Sequence, residues 1–167
     1  CKQTEYNKKY DFSFIGQIKK DRKNMLNKFN NNFRNSFIHT GSTNWSNPEK
    51  QNIKPDQLFN IYKDSLFVPV GRGNNSLDCF RLYEAIVAGA IPVICGTNEE
   101  IQMTFNFHEK IPNIIVADTW DEAVMISQKY YADKEKLNKI ISSNYSWFHN
   151  QVSYISKKVK LFEELHS

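Results

Sequence analysis

Apolar residues fall in five short runs, each followed by a polar loop and a segment with helical spacing. Tyr10-Asp11-Phe12-Ser13-Phe14-Ile15 alternates and stops at Gly16, which predicts a first strand. Ser36–His39 predicts a second strand, Leu66–Val70 a third, Ile91–Cys95 a fourth and Ile114–Val116 a fifth. Between them, Met25, Leu26 and Phe29 share one side of a predicted helix over Lys19–Asn32, with Arg22 in its first turn. Pro55 opens a helix to Asp64, as proline favours a first helical turn. Further helices are expected over Asp78–Ala90, over Trp120–Tyr131 with Asp118 as its cap, and from Asp133 on; Glu99–Met103 reads as one helical turn. From Asn138 to Leu165, apolar residues including Ile140, Trp147, Phe148, Val152, Ile155, Val159 and Phe162 predict one broken helix or two consecutive ones. Trp147, Phe148 and Tyr154 read as core, and Lys157, Lys158 and Lys160 as a solvated face.

Strands and helices in alternation describe an α/β domain, a parallel sheet with helices on both faces. The whole chain, 1–167, reads as one such domain, with its C-terminal helices at about 133–165. Tyr62–Cys95 is the central unit: strand, loop, helix, strand. Two strands joined through a helix run parallel. Ligands of open parallel sheets bind outside the carboxyl ends of the strands, which directs attention to the loop Gly71–Leu77. The polar segment Ser42–Lys54, with its lone Trp45, reads as a long loop.

Composition narrows the classes. With 40% hydrophobic and 24% charged residues, the chain is ordinary for a globular domain. Its net charge of +4 suits a phosphate-bearing small ligand, but the lysines are scattered, and nucleic acid is not an expected partner. Cys1, Cys79 and Cys95 show neither a CxxC pair nor histidine spacing for zinc, so no metal site is expected. No apolar run reaches the length of a membrane span. Any membrane attachment is expected to come from a segment outside this chain.

Candidate chemistry concentrates in the central unit. Arg81 and Glu84 lie three apart on a helix, a spacing that fits a surface ion pair. It equally fits a guanidinium on phosphate and a carboxylate on the vicinal hydroxyls of a ribose. Spacing alone leaves both readings open. The preceding loop, with Gly71, Gly73, Asn74, Asn75 and Ser76, offers backbone N–H groups just before a helix N-terminus, where anions bind. It is neither a P-loop nor a GxGxxG fingerprint.

The stretch YKDSLFVPVGRGNNSLDCFRLYEAIVAGAIPVI resembles the core motif of the exostosin family of glycosyltransferases. Ser65, Phe67, Pro69, Gly71, Ser76, Arg81, Glu84, Ala85, Gly89, Ile91, Pro92, Val93 and Ile94 carry the match, and Phe14-Ile15-Gly16 with Arg22 is similar to the family's opening pattern. Ala90 stands where the family has cysteine, the gap from Ser76 to Arg81 is longer than usual, and the family's Pro-Phe segment is altered near Phe105–Phe107. The resemblance implies a Rossmann-like domain that is one half of a GT-B architecture, the nucleotide-sugar-binding half, with the acceptor domain outside this chain. It implies inverting transfer from a nucleotide-diphosphate sugar, with UDP-sugars as the expected donors, to a glycan acceptor, with no cofactor and no essential metal. The donor-binding set it implies is Gly16, Arg22, Gly71, Arg72, Asn75, Ser76, Arg81, Glu84, Thr97 and Asn98, while the catalytic residues stay unassigned. For a eukaryotic member it implies the Golgi lumen, and for a viral or bacterial one the cytoplasm. A non-catalytic binding or assembly module that keeps the fold is the alternative, since fold alone does not give function.

Overall fold

The structure, a computed structural model, describes residues 8–19, 21–41, 53–73, 77, 79–105 and 111–165. Five strands form one parallel sheet: β1 (Tyr10–Ile15), β2 (Ser36–His39), β3 (Ser65–Pro69), β4 (Ile91–Cys95) and β5 (Ile115–Ala117). The order across the sheet is β2-β1-β3-β4-β5. Phe12 pairs with Ser36 on one side and Phe67 on the other, and Phe67 pairs in turn with Ile91. The expected parallel sheet with helices on both faces is therefore present, with an α/β, Rossmann-like form.

The helices are α1 (Arg22–Asn32), α2 (Pro55–Lys63), α3 (Phe80–Val87), α4 (Asn98–Phe105), α5 (Trp120–Tyr131) and α6 (Lys134–Leu165). Side chains alternate across a strand, so the sheet feeds two cores. On one face Phe12, Phe14, Val93 and Ile115 pack against Met25, Leu26 and Phe29 of α1 and Trp120, Ala123 and Val124 of α5. On the other, Ile15, Val68, Val70 and Ile94 pack against Tyr62 of α2, Leu82, Ala85 and Ile86 of α3, and Ile101 and Phe105 of α4. The first core is aromatic: Phe12 and Phe29 lie 5.3 Å apart and Phe29 and Phe33 stack at 5.6 Å. Side chains of this size dominate the burial energy, at about 25 cal/mol for each Å² of apolar surface removed from water.

Several boundaries differ from the expected ones, each for a local reason. α1 starts at Arg22 rather than Lys19, with Asp21 at its N-cap position. α3 spans Phe80–Val87 rather than Asp78–Ala90, because Cys79 is extended and Gly89 adopts φ +76, where the chain turns back toward β4. α4 is eight residues long rather than a single turn. β3 and β5 are each displaced by one residue from the expected strands. The cap of α5 is Thr119, not Asp118: the Thr119 hydroxyl accepts from the Glu122 backbone N–H.

α6 is continuous over 32 residues, where a break was expected. It contains neither proline nor glycine, the usual causes of a break. Its first half is anchored, with Leu137, Asn144 and Trp147 buried. From Val152 to Glu164 every residue is exposed. Tyr154 thus belongs to the surface rather than the core, beside the exposed Lys157, Lys158 and Lys160.

The chain reverses direction across the sheet between β1 and β3: α1 leads from β1 outward to β2, while α3 leads from β3 to β4 on the other side. Such a switch point opens a crevice at the carboxyl ends of the two strands. Gly16, Gly71 and the first turn of α3 stand around it.

Candidate functional site at the switch point

Arg81, in the first turn of α3, reaches back across the end of β1. Its Nε donates to the Ile15 carbonyl at 2.6 Å and its Nη1 to Cys79 Sγ at 3.3 Å, and its Cζ lies 6.0 Å from the centre of the Phe14 ring. Gly16 makes room for this: a Cβ there would overlap the guanidinium, and φ at Gly16 is +155. The ion pair with Glu84 that the spacing also allowed does not form among the described residues. The guanidinium instead spans the gap between β1 and α3 at the switch point.

Arg22 stands beside it. Although charged, it is only 7% exposed. Its Nη1 donates to the Gln17 carbonyl at 2.9 Å and its Nη2 to the Arg72 carbonyl at 2.8 Å, so it ties the loop after β1 to the loop after β3. Its Nε is buried and has no partner among the described residues. Gly71 accommodates the side-chain stem, since a Cβ there would lie 2.5 Å from Arg22 Cγ. Burial, and then the charge of Arg81, lower the Arg22 pKa. The two cations are therefore close enough to repel, an arrangement that an anion between or before them would relieve.

Arg72 and Thr97 occupy a third edge of the crevice. The Arg72 guanidinium is forked by the Glu100 carboxylate, Nη1 to Oε1 and Nη2 to Oε2, the second at 2.7 Å. Glu100 Oε2 also accepts from the Thr97 backbone N–H at 2.9 Å, while the Thr97 hydroxyl accepts from the Glu100 N–H at 3.3 Å. This reciprocal pair starts α4, with Asn98 exposed as its first residue. The Arg72 hydrogen bonds, and then the Thr97 N–H, hold the Glu100 pKa at about 2.

Glu84 lies one turn beyond Arg81 and faces an apolar groove of about 410 Å³ between α2 and α3. Ile53, Leu58, Phe59, Tyr83, Val87 and Phe148 form its walls. The Tyr83 ring is itself stacked on Trp147, with planes 14° apart. Beneath, the Tyr62 hydroxyl is buried without a partner among the described residues, and burial raises its pKa.

The structure thus brings Gly16, Arg22, Gly71, Arg72, Arg81 and Thr97 around one crevice, with Glu84 on its α2 side. Asn75 and Ser76 lie outside the described residues. Three residues are added that the chain pattern did not single out. Glu100 holds Arg72, and the Thr97–Glu100 spacing of a capping box was the signal for it. Asp21 accepts from Trp120 Nε1 at 3.1 Å, and its other oxygen is buried without a partner among the described residues. Tyr62 is the third, and an isolated tyrosine in an amphipathic helix carries no such signal. Among the described residues no group of three or more His, Cys, Asp or Glu side chains is placed to hold a metal ion.

The family described as RXYLT1 C-terminal domain matches residues 1–161. No curated protein matches the chain.

Proposed function

We propose, since the chain belongs to the RXYLT1 C-terminal domain family, an exostosin-like glycosyltransferase domain, that it binds the nucleotide-diphosphate sugar of an inverting, metal-independent transfer to a glycan acceptor. The single observation that carries this reading is the pair Arg22 and Arg81, two guanidinium groups held together at the β1/β3 switch point. Breaking a sugar–phosphate bond leaves negative charge on the diphosphate. Guanidinium groups already fixed where that charge develops stabilise it without having to reorganise. Arg81 and Arg22 take this role, with Arg72 at the rim and the backbone N–H groups at the start of α3.

Glu84 then falls where the nucleoside would follow the diphosphate. Its carboxylate accepts from the two ribose hydroxyls, and the base lies in the apolar groove against Tyr83 and Phe59. UDP is the proposed nucleotide portion, and no cofactor is required. The acceptor and the catalytic base come from a second domain, which with this one makes a GT-B pair, so this chain alone binds donor without completing transfer.

Calorimetric titration with UDP, GDP and CMP in the presence of EDTA tests the reading. Saturable binding of a nucleoside diphosphate, weakened in Arg81→Ala, is the expected result. Absence of binding to all three sinks it.

A further inference from the structure

Arg72 is held at both of its ends. Its main-chain carbonyl accepts from Arg22 Nη2 at 2.8 Å, and its guanidinium is forked by Glu100. Glu100 is itself fixed, because Oε2 also accepts from the Thr97 N–H at 2.9 Å, at the start of α4. Gly96 gives the carboxylate its place: a Cβ there would come within 3.0 Å of Glu100 Oε2. The loops after β1, β3 and β4 are therefore joined by one chain of contacts, Gln17 to Arg22 to Arg72 to Glu100 to Thr97.

A carboxylate beside a phosphate site has two possible effects. It can neutralise the arginine and compete with the ligand, or it can hold the arginine in place for it. The donor count separates the two. A guanidinium has five N–H donors. The fork to Glu100 uses one on each Nη nitrogen, which, among the described residues, leaves Nε–H and the second hydrogen of each Nη. The local field points the same way. Arg22 and Arg81 already place two positive charges at this crevice, and a third cation on a half-exposed side chain would be driven outward into water without a fixed anion beside it.

We infer that Glu100 is a positioning residue that pins the Arg72 guanidinium at the rim of the crevice, with donors left over for an anion. The function of that pin rests on the reading of the crevice as a diphosphate site, but the pin itself can be tested without it. The readouts are rotation of the Arg72 guanidinium, from its Nη resonances, and the affinity for UDP. The rotation is measured in the wild type and in Glu100→Gln, and the affinity in these two, in Arg72→Ala and in the double variant, with thermal melts as a check on folding.

The expected result is hindered rotation in the wild type that is released in Glu100→Gln. UDP affinity should fall about fivefold or more on Glu100→Gln in the wild-type background and change less than about twofold in the Arg72→Ala background, the non-additivity of residues that act through one contact. Equal losses in both backgrounds would place the effect in the start of α4 and overturn the inference. Tighter binding in Glu100→Gln would make Glu100 a competitor of the ligand and overturn it as well. A wild type that binds no UDP yet shows the hindered rotation would refute the nucleotide reading and leave the pin standing. Free rotation of Arg72 in the wild type refutes the pin whatever UDP does.

Discussion

Gly16 and Arg81, 65 positions apart in the chain, share one volume: the Arg81 guanidinium occupies the space that a side chain at 16 would need. Nε of Arg81 then reaches the Ile15 carbonyl at 2.6 Å. The absence of a Cβ at the end of β1 therefore determines where a cation on α3 can sit. Gly16→Ala has two expected effects. The φ of +155 is costly for alanine, about 1–3 kcal/mol. The guanidinium, being the end of a flexible side chain, swings away. Thermal melts should show a folded protein of reduced stability, and UDP affinity should fall as far as in Arg81→Ala, on the order of 1.5–3 kcal/mol. Unchanged affinity would separate Arg81 from the ligand.

Gly71 works differently, because its neighbour cannot move. A Cβ there meets Cγ of Arg22 at 2.5 Å, and Arg22 is only 7% exposed. Gly71→Ala is expected to cost about 1–3 kcal/mol through overpacking. Gly41, with nothing within 4 Å of the corresponding Cβ position, provides the control, and Gly41→Ala should stay within about 0.5 kcal/mol. Urea denaturation of the three proteins decides the matter, and equal stability of all three would refute the packing argument.

Four elements, β1, β2, β4 and α5, could be read from the chain with their observed limits, because alternation and helical spacing are unambiguous there. The ends of α3 were not legible: Asp78 and Ala90 suit a helix by type, and only the extended Cys79 and the left-handed Gly89 shorten it. Residue types and order also placed Arg22, Arg81 and Glu84 near the carboxyl ends of the strands. Where their side chains point was beyond that reading. Arg81 pairs with a carbonyl 66 residues away and Arg72 with a carboxylate 28 residues away, contacts that exist only once the sheet has assembled. The same holds for the exposed half of α6, whose apolar spacing is that of a buried helix although nothing described covers it.

Truncation tests that last point. Ending the chain at Gln151 removes, among the described side chains, only exposed ones. An unsupported helical extension adds little, since isolated helices of this length are marginal in water. The shortened chain should melt within a few degrees of the full one, and a large loss of stability would show that the second half of α6 packs on the body.

Glu84→Gln keeps the shape of the groove wall and removes the charge. Affinity for UDP should fall, and affinity for a 2′,3′-dideoxy nucleoside diphosphate should fall far less, since that ligand has no hydroxyls to donate to the carboxylate. A charge-assisted hydrogen bond lost in this way is worth about 1.5–3 kcal/mol. Equal losses for the two ligands would make Glu84 part of the groove's structure only.

The contact between Glu100 and Arg72 also predicts a pH dependence with a definite sign. An unperturbed glutamate has a pKa of 4.5, and in the folded chain Arg72 and the Thr97 N–H lower that of Glu100 to about 2. The folded state thus binds the proton more weakly than the unfolded state does. Whatever stability the ionised carboxylate contributes is fully present above pH 4.5 and is lost as the pH falls through about 2. Glu100→Gln lacks this titration, so the measurement is the difference in Tm between wild type and Glu100→Gln from pH 7 down to 2. That difference should be constant down to about pH 5 and shrink below pH 4.5. Glu99, whose pKa is also lowered, is present in both proteins, so that only the smallest of its causes, the charge of Glu100, differs between them. A difference that disappears already between pH 7 and 5 would mean that the carboxylate is not held by Arg72. In that case the forked contact at the rim of the crevice would not describe the protein in solution.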